Sequence, residues 1–120
     1  MAIVALASCF GAIGTVGVAS DRAAAGDAEL GRALYTNCAT CHGAEGQGGF
    51  GPAIAGNANL EYQDFLIAYV AKGSRRMPPF EQQFSPREMA AVLSHVRTSW
   101  GNSFGPLTEA DVQAVLDGEG

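Results

Sequence analysis

Residues 38–42 read Cys-Ala-Thr-Cys-His, and no other run constrains this chain as much. Cys38 and Cys41 stand three positions apart, which on a helix puts both thiols on one face, and the imidazole of His42 follows at once. Haem is attached through that spacing: each thiol captures a vinyl group as a thioether, and the histidine reaches iron. Other uses of these residues fail on counting. A structural zinc site takes four nitrogen or sulfur ligands, usually from two paired knuckles. Here the other cysteine is Cys9 and the other histidine is His95, so a second knuckle is missing. A thioredoxin-like redox pair belongs in a βαβ setting, whereas the flanks of this run are patterned as helix.

The chain has 120 residues and is 48% hydrophobic, which suits one small domain. Ala2 to Ala19 carries no charge, and the first charged residues are Asp21 and Arg22. That stretch reads as the apolar region of a secretory leader, with small-residue cleavage points at Val18-Ala19-Ser20 and Ala23-Ala24-Ala25. No Lys or Arg precedes it, and it is about long enough to cross a bilayer, so a retained membrane anchor is the alternative. Leu6-Ala7-Ser8-Cys9 resembles a lipoprotein box, but only eight residues precede Cys9 and the chain stays apolar beyond it. The expected division is a leader over 1–25 and a haem domain over 26–120.

Export to the periplasm agrees with the cysteines. Without the leader only Cys38 and Cys41 remain, both taken by haem, and no disulfide can form. The 95 residues of 26–120 can build only a limited core, so a covalent haem forms a large share of it. Those residues hold six basic and eleven acidic side chains, a net charge of −5. Such acidity argues against nucleic acid as a partner.

Four helices are expected. The first runs from about Asp27 to Cys41, with Leu30, Leu34, Tyr35 and Cys38 on one stripe. Gly31 inside it costs about 1 kcal/mol relative to Ala, which points to a close approach by another helix. The second runs from Leu60 to Ala71, with Tyr62, Phe65, Leu66, Tyr69 and Val70 as its apolar positions, and ends at Lys72-Gly73. The third is the best marked. Ser85 is its N-cap, Pro86 fills the first turn, and Glu88 completes a capping box, with Met89, Val92, Leu93 and Val96 following at helical spacing. A short fourth helix starts at Thr108, with Asp111 in the capping position, and ends at Asp117-Gly118. No segment alternates like a strand, so the expected fold is all-α.

The residues assembled so far resemble the class I monohaem c-type cytochromes over nearly all of 26–120. Gly31-Arg32-Ala33-Leu34-Tyr35, followed by Cys38 to Gly43, is similar to that family's first helix and haem-attachment motif. Gly51-Pro52-Ala53-Ile54 resembles its loop behind the histidine, and Met77-Pro78-Pro79-Phe80 its methionine loop. Ser85 to Trp100 resembles its last core helix. The segment through Gly105-Pro106-Leu107-Thr108 is similar to cytochrome domains that accompany quinoprotein dehydrogenases and some oxidase subunits. The resemblance implies a small cytochrome c fold of about four helices packed around one covalent haem c. His95 departs from it, since relatives often carry Tyr or another aromatic there; packing at a helix interface is the simpler role and a titrating group the sharper one.

His42 supplies one axial iron ligand, and Met77 is the candidate for the other. Met1 lies in the leader and Met89 among the buried positions of a helix, whereas Met77 stands in a loop before two stiffening prolines. His95, mid-helix, is the rival. On the family pattern the carbonyl of Pro52 accepts the Nδ1 proton of His42 and fixes its tautomer. Arg75, Arg76 and Trp100 are candidates to bond the haem propionates, the arginines alternatively forming with Lys72 a solvated basic patch. Either way that charge would steer an acidic partner surface toward the haem.

Histidine with methionine raises the potential relative to two imidazoles and leaves iron no open position. The expectation is therefore one-electron transfer without enzymatic catalysis, by a soluble carrier or a cytochrome subunit whose partners are a dehydrogenase or an oxidase. A haem enzyme or ligand sensor, with Met77 displaced, is the other reading; Gln82, Gln83, Arg75 and Arg76 would then have to furnish a polar distal pocket.

Overall fold

A computed structural model describes residues 27–118. The expected leader, with Cys9 and Met1, lies outside them. Five α-helices and two 3-10 turns are present among the described residues, and no strand, so the all-α expectation holds. We label the helices α1 (27–34), α2 (Thr36–His42), α3 (Gln63–Lys72), α4 (Pro86–Thr98) and α5 (Glu109–Leu116). Short 3-10 turns cover Ala58–Glu61 and Phe80–Gln82.

The single first helix read from the sequence is two. A turn at Tyr35 separates α1 from α2, although Tyr35 keeps right-handed backbone angles and its carbonyl accepts from Cys38 and Ala39 at 2.8 and 2.9 Å. α1 crosses α4 at Gly31, where a Cβ would run into the carbonyl oxygen of Ala91. This contact accounts for a glycine in mid-helix: only a hydrogen lets the two backbones meet.

α4 forms where its capping box places it. The Ser85 hydroxyl accepts from Glu88 N, and the Glu88 carboxylate accepts from Ser85 N at 2.9 Å. The equivalent box at Thr108 and Asp111 opens α5. α5 packs on both α3 and α4, and Ile67, Met89, Val92 and Val112 are the largest fully buried side chains. Arg97 is buried at the far end of α4, where its Nη2 donates to Phe104 O at 2.6 Å and holds the 99–107 segment against the bundle.

The face expected for α3 is corrected. α3 buries Ile67, Val70 and Ala71, with Leu60 from the preceding turn, while Tyr62, Phe65 and Tyr69 are 62%, 57% and 46% exposed. Apolar residues occur on nearly every side of this helix, so spacing alone could not choose between two stripes. The β-branched and small residues pack inward, and the aromatic rings point out.

Candidate functional site

α2 delivers Cys38, Cys41 and His42 within a single seven-residue helix. His42 is its last residue, and the loop beyond it folds back on the imidazole. Gly48 N donates to His42 O at 2.7 Å, and Gly51 N to Cys41 O at 2.8 Å. A Cβ on Gly51 would stand 2.8 Å from His42 Cε1, so the loop backbone lies directly against the ring. Pro52 O is 2.8 Å from His42 Nδ1. A carbonyl only accepts, so Nδ1 carries the proton and Nε2 keeps its lone pair for a metal.

The second contribution comes after α3. Lys72 ends the helix, Gly73 caps it, and Ser74 N donates to Met77 O at 2.9 Å, which closes a tight turn. Pro78 and Pro79 then lead into the Phe80–Gln82 turn. Met77 is partly buried against the core. Arg75 and Arg76 are exposed beside it and form no ion pair among the described residues, whereas Lys72 pairs with Glu81 at 3.3 Å.

These two segments border one cavity of about 860 Å³. Cys38, Cys41, His42, Pro52, Arg75, Arg76 and Met77 all line it, so seven of the side chains singled out in the sequence meet in one place. Trp100 does not. Its ring lies 4.8 Å from that of Tyr35 and 5.4 Å from that of His95, and it covers Gly46. The backbone at Trp100 is left-handed, with φ of 52°.

The rivals for the distal position are placed elsewhere too. Met89 is fully buried in the core, and His95 packs in the Tyr35 and Trp100 cluster with Nδ1 3.3 Å from Ser99 Oγ. The cavity is also lined by residues outside the expected set, among them two aromatic rings, Phe50, 97% exposed, and Tyr69. Phe50 had no signal, lying in a glycine-rich loop. Tyr69 reads from the sequence only as one of the apolar positions of its helix.

The donor set suits a covalently held haem. Both thiols are free, and burial, reinforced by Cys41, pushes the Cys38 thiol up to about 11. A redox dithiol needs the reverse, a thiolate stabilised near neutral pH. Among the described residues no three His, Cys, Asp or Glu side chains converge on a common point, so the pair has no companions for a zinc cage. The cavity volume lies within the range of cofactor sites. It carries one nitrogen donor, one thioether, two thiols for attachment and two guanidinium groups for carboxylates.

Comparison with known proteins agrees. The family described as cytochrome c oxidase, cbb3-type, subunit III matches residues 26–96. A cytochrome c-553-like protein of Synechocystis sp. is 40% identical over 75 residues, covering 61% of this chain and 70% of the relative. Cytochrome c-552 of Thermus thermophilus is 29% identical over 108 residues, covering 71% and 82%. The cytochrome c subunit of a quinone alcohol dehydrogenase from Gluconacetobacter polyoxogenes is 32% identical over 96 residues, covering 67% of this chain and 20% of that subunit.

Proposed function

This chain belongs to the cytochrome c family, and from that premise we propose that it passes single electrons by way of one haem c held between His42 and Met77. As a cytochrome c it is an electron carrier or the cytochrome subunit of an oxidoreductase, not itself an enzyme. One observation carries the finer reading: the two thiols, the imidazole and the Met77 thioether line the same cavity.

Bound there, haem supplies an Fe(III)/Fe(II) couple. Cys38 and Cys41 would tether it as thioethers. His42 offers Nε2 because Pro52 O engages Nδ1, and that bond fixes the ring's orientation and raises its basicity. Met77 offers a weaker, softer donor that favours Fe(II) and so raises the potential relative to a second imidazole. With His42 and Met77 both engaged, a haem held here would have no position left for a substrate. Arg75 and Arg76 suit the propionates through charge-assisted hydrogen bonds.

The partners we propose are a dehydrogenase that delivers the electron and an oxidase or later carrier that takes it. Arg75 and Arg76 put positive charge at the cavity mouth of a chain whose net charge is −5, which favours an acidic partner surface there. We also propose residues 1–25 as an export leader or retained anchor, which sets the domain over 26–120 in the periplasm. None of the described helices is long and apolar enough to cross a membrane.

The experiment is spectroscopic. The purified holoprotein is expected to keep its colour in acidified acetone, to show low-spin iron with the weak near-red band of Fe(III) bound to methionine sulfur, and to leave CO unbound when reduced. Rapid CO binding by the native reduced protein would replace this reading with that of an open-site haem protein.

A further inference from the structure

Tyr35 sits at the break between α1 and α2 and is only 4% exposed. Its ring is wedged between His95 and Trp100, at centroid distances of 5.4 and 4.8 Å. Its hydroxyl donates to Gly43 O at 2.6 Å. The phenol is thus inserted into the turn that directly follows His42, where Gly46 N also donates to Gly43 O at 3.2 Å.

That turn is the anchor of the loop carrying Pro52. Gly46 O accepts from Ile54 N and Ala55 N, both at 2.9 Å, which draws the far arm of the loop back onto the turn. The near arm is fixed by Gly48 N on His42 O and Gly51 N on Cys41 O. Between the two arms stands Pro52, whose carbonyl meets His42 Nδ1 at 2.8 Å. Ring packing alone would be served equally well by Phe, so the buried hydroxyl calls for a separate explanation.

We infer that Tyr35 is a positioning residue for His42: its hydroxyl holds the Gly43–Gly46 turn, and through that turn the Pro52 carbonyl, against the imidazole Nδ1. The inference rests on the proposed reading of His42 as an axial ligand. The ring partners of Tyr35 are His95 and Trp100, and its hydroxyl is bonded to Gly43 O. A firm Nδ1–H to carbonyl bond makes the ring a stronger donor and so favours the oxidised metal. Releasing the turn loosens that bond, weakens the donor and raises the reduction potential.

The test compares holoproteins. Tyr35→Phe keeps the ring and removes only the hydroxyl. It is expected to raise the reduction potential and to speed solvent exchange of the His42 Nδ1 proton, followed by NMR, by roughly tenfold, with the near-red methionine band retained. Val112→Ala, in the core at α5, leaves the hydroxyl and its turn untouched while removing buried volume; it is expected to lower the unfolding midpoint and leave the potential where it was. An unchanged potential and unchanged Nδ1 exchange in Tyr35→Phe overturn the inference, as does a Val112→Ala variant that shifts both as far. In the unaltered holoprotein, the Tyr35 hydroxyl proton and the His42 Nδ1 proton are expected to exchange at a common rate with a common denaturant dependence; independent rates overturn it without any variant. Failure of the underlying reading has a different signature, namely a His42→Ala holoprotein that keeps the wild-type low-spin spectrum.

Discussion

Gly31 and Ala91 meet backbone to backbone, so that any side chain at position 31 would strike the Ala91 carbonyl oxygen. The crossing of α1 over α4 depends on this contact. It brings Tyr35 and the attachment helix behind it onto the core, since Tyr35 then packs against His95 and Trp100. Gly31→Ala improves helix propensity by about 1 kcal/mol but forces the helices apart, at an overpacking cost of up to about 3 kcal/mol. A net loss of about 2 kcal/mol is expected in chemical denaturation of the holoprotein, and a variant as stable as the parent would refute the crossing.

Met77→His exchanges the thioether for an imidazole in the same turn. The reduction potential is expected to fall, the near-red band to vanish and the reduced protein to stay unreactive toward CO, because both axial positions remain filled. A potentiometric titration checks the first outcome and optical spectra the other two. An unmoved potential would mean that Met77 is not the distal donor.

Arg75 and Arg76 make the cavity mouth positive at short range within an acidic chain. Replacing both with Gln is expected to slow electron exchange with ferricyanide severalfold at low salt and to flatten the dependence of that rate on ionic strength. Exchange with a cationic ruthenium ammine should quicken. Stopped-flow mixing reads both, and equal effects on the two reagents would remove the steering role.

His95 gives the fold a sensitivity to mild acid. Burial, helped by the positive charge of Arg32, holds its pKa below the ordinary value of 6.5. The unfolded chain therefore begins to bind a proton near pH 6.5 while folded His95 stays neutral. Stability falls as the pH drops from there to the folded value and levels off below it. His95→Gln should flatten this part of the curve in urea titrations run from pH 7.5 downward.

The two capping boxes are worth a similar amount each. Ser85→Ala and Thr108→Ala are each expected to lose about 1 kcal/mol of unfolding free energy. At Thr108 the loss should shrink in strong acid. The Thr108 backbone and hydroxyl hold the Asp111 carboxyl below its usual range, and the stability this supplies disappears as the pH falls through that lowered value.

Local chemistry was the legible part of this chain. Ser85, Pro86 and Glu88 define the start of α4 within four residues, Thr108 and Asp111 do the same for α5, and both boxes form. The Cys38–His42 run specified its own helix in the same way. What was missed depends on distant packing. The inward face of α3 is chosen by α5, with which it shares the core, and no window on 60–72 contains that information. The turn at Tyr35 and the left-handed backbone at Trp100 belong to the junction of α1, α4 and the loop after His42, and α4 is remote from the other two in sequence. Among the cavity-lining residues Phe50 was invisible because an exposed ring in a glycine-rich loop leaves no periodic trace.

The same junction gives the protein a built-in optical gauge. Its sole indole, Trp100, lies where the first helix, the last core helix and the proximal loop converge. In the loaded protein a porphyrin nearby would absorb the indole's emission, so fluorescence stays dark while the three segments remain together. Light returns when they separate, and a fluorimeter can therefore time the opening of the region on which His42 depends, without any label.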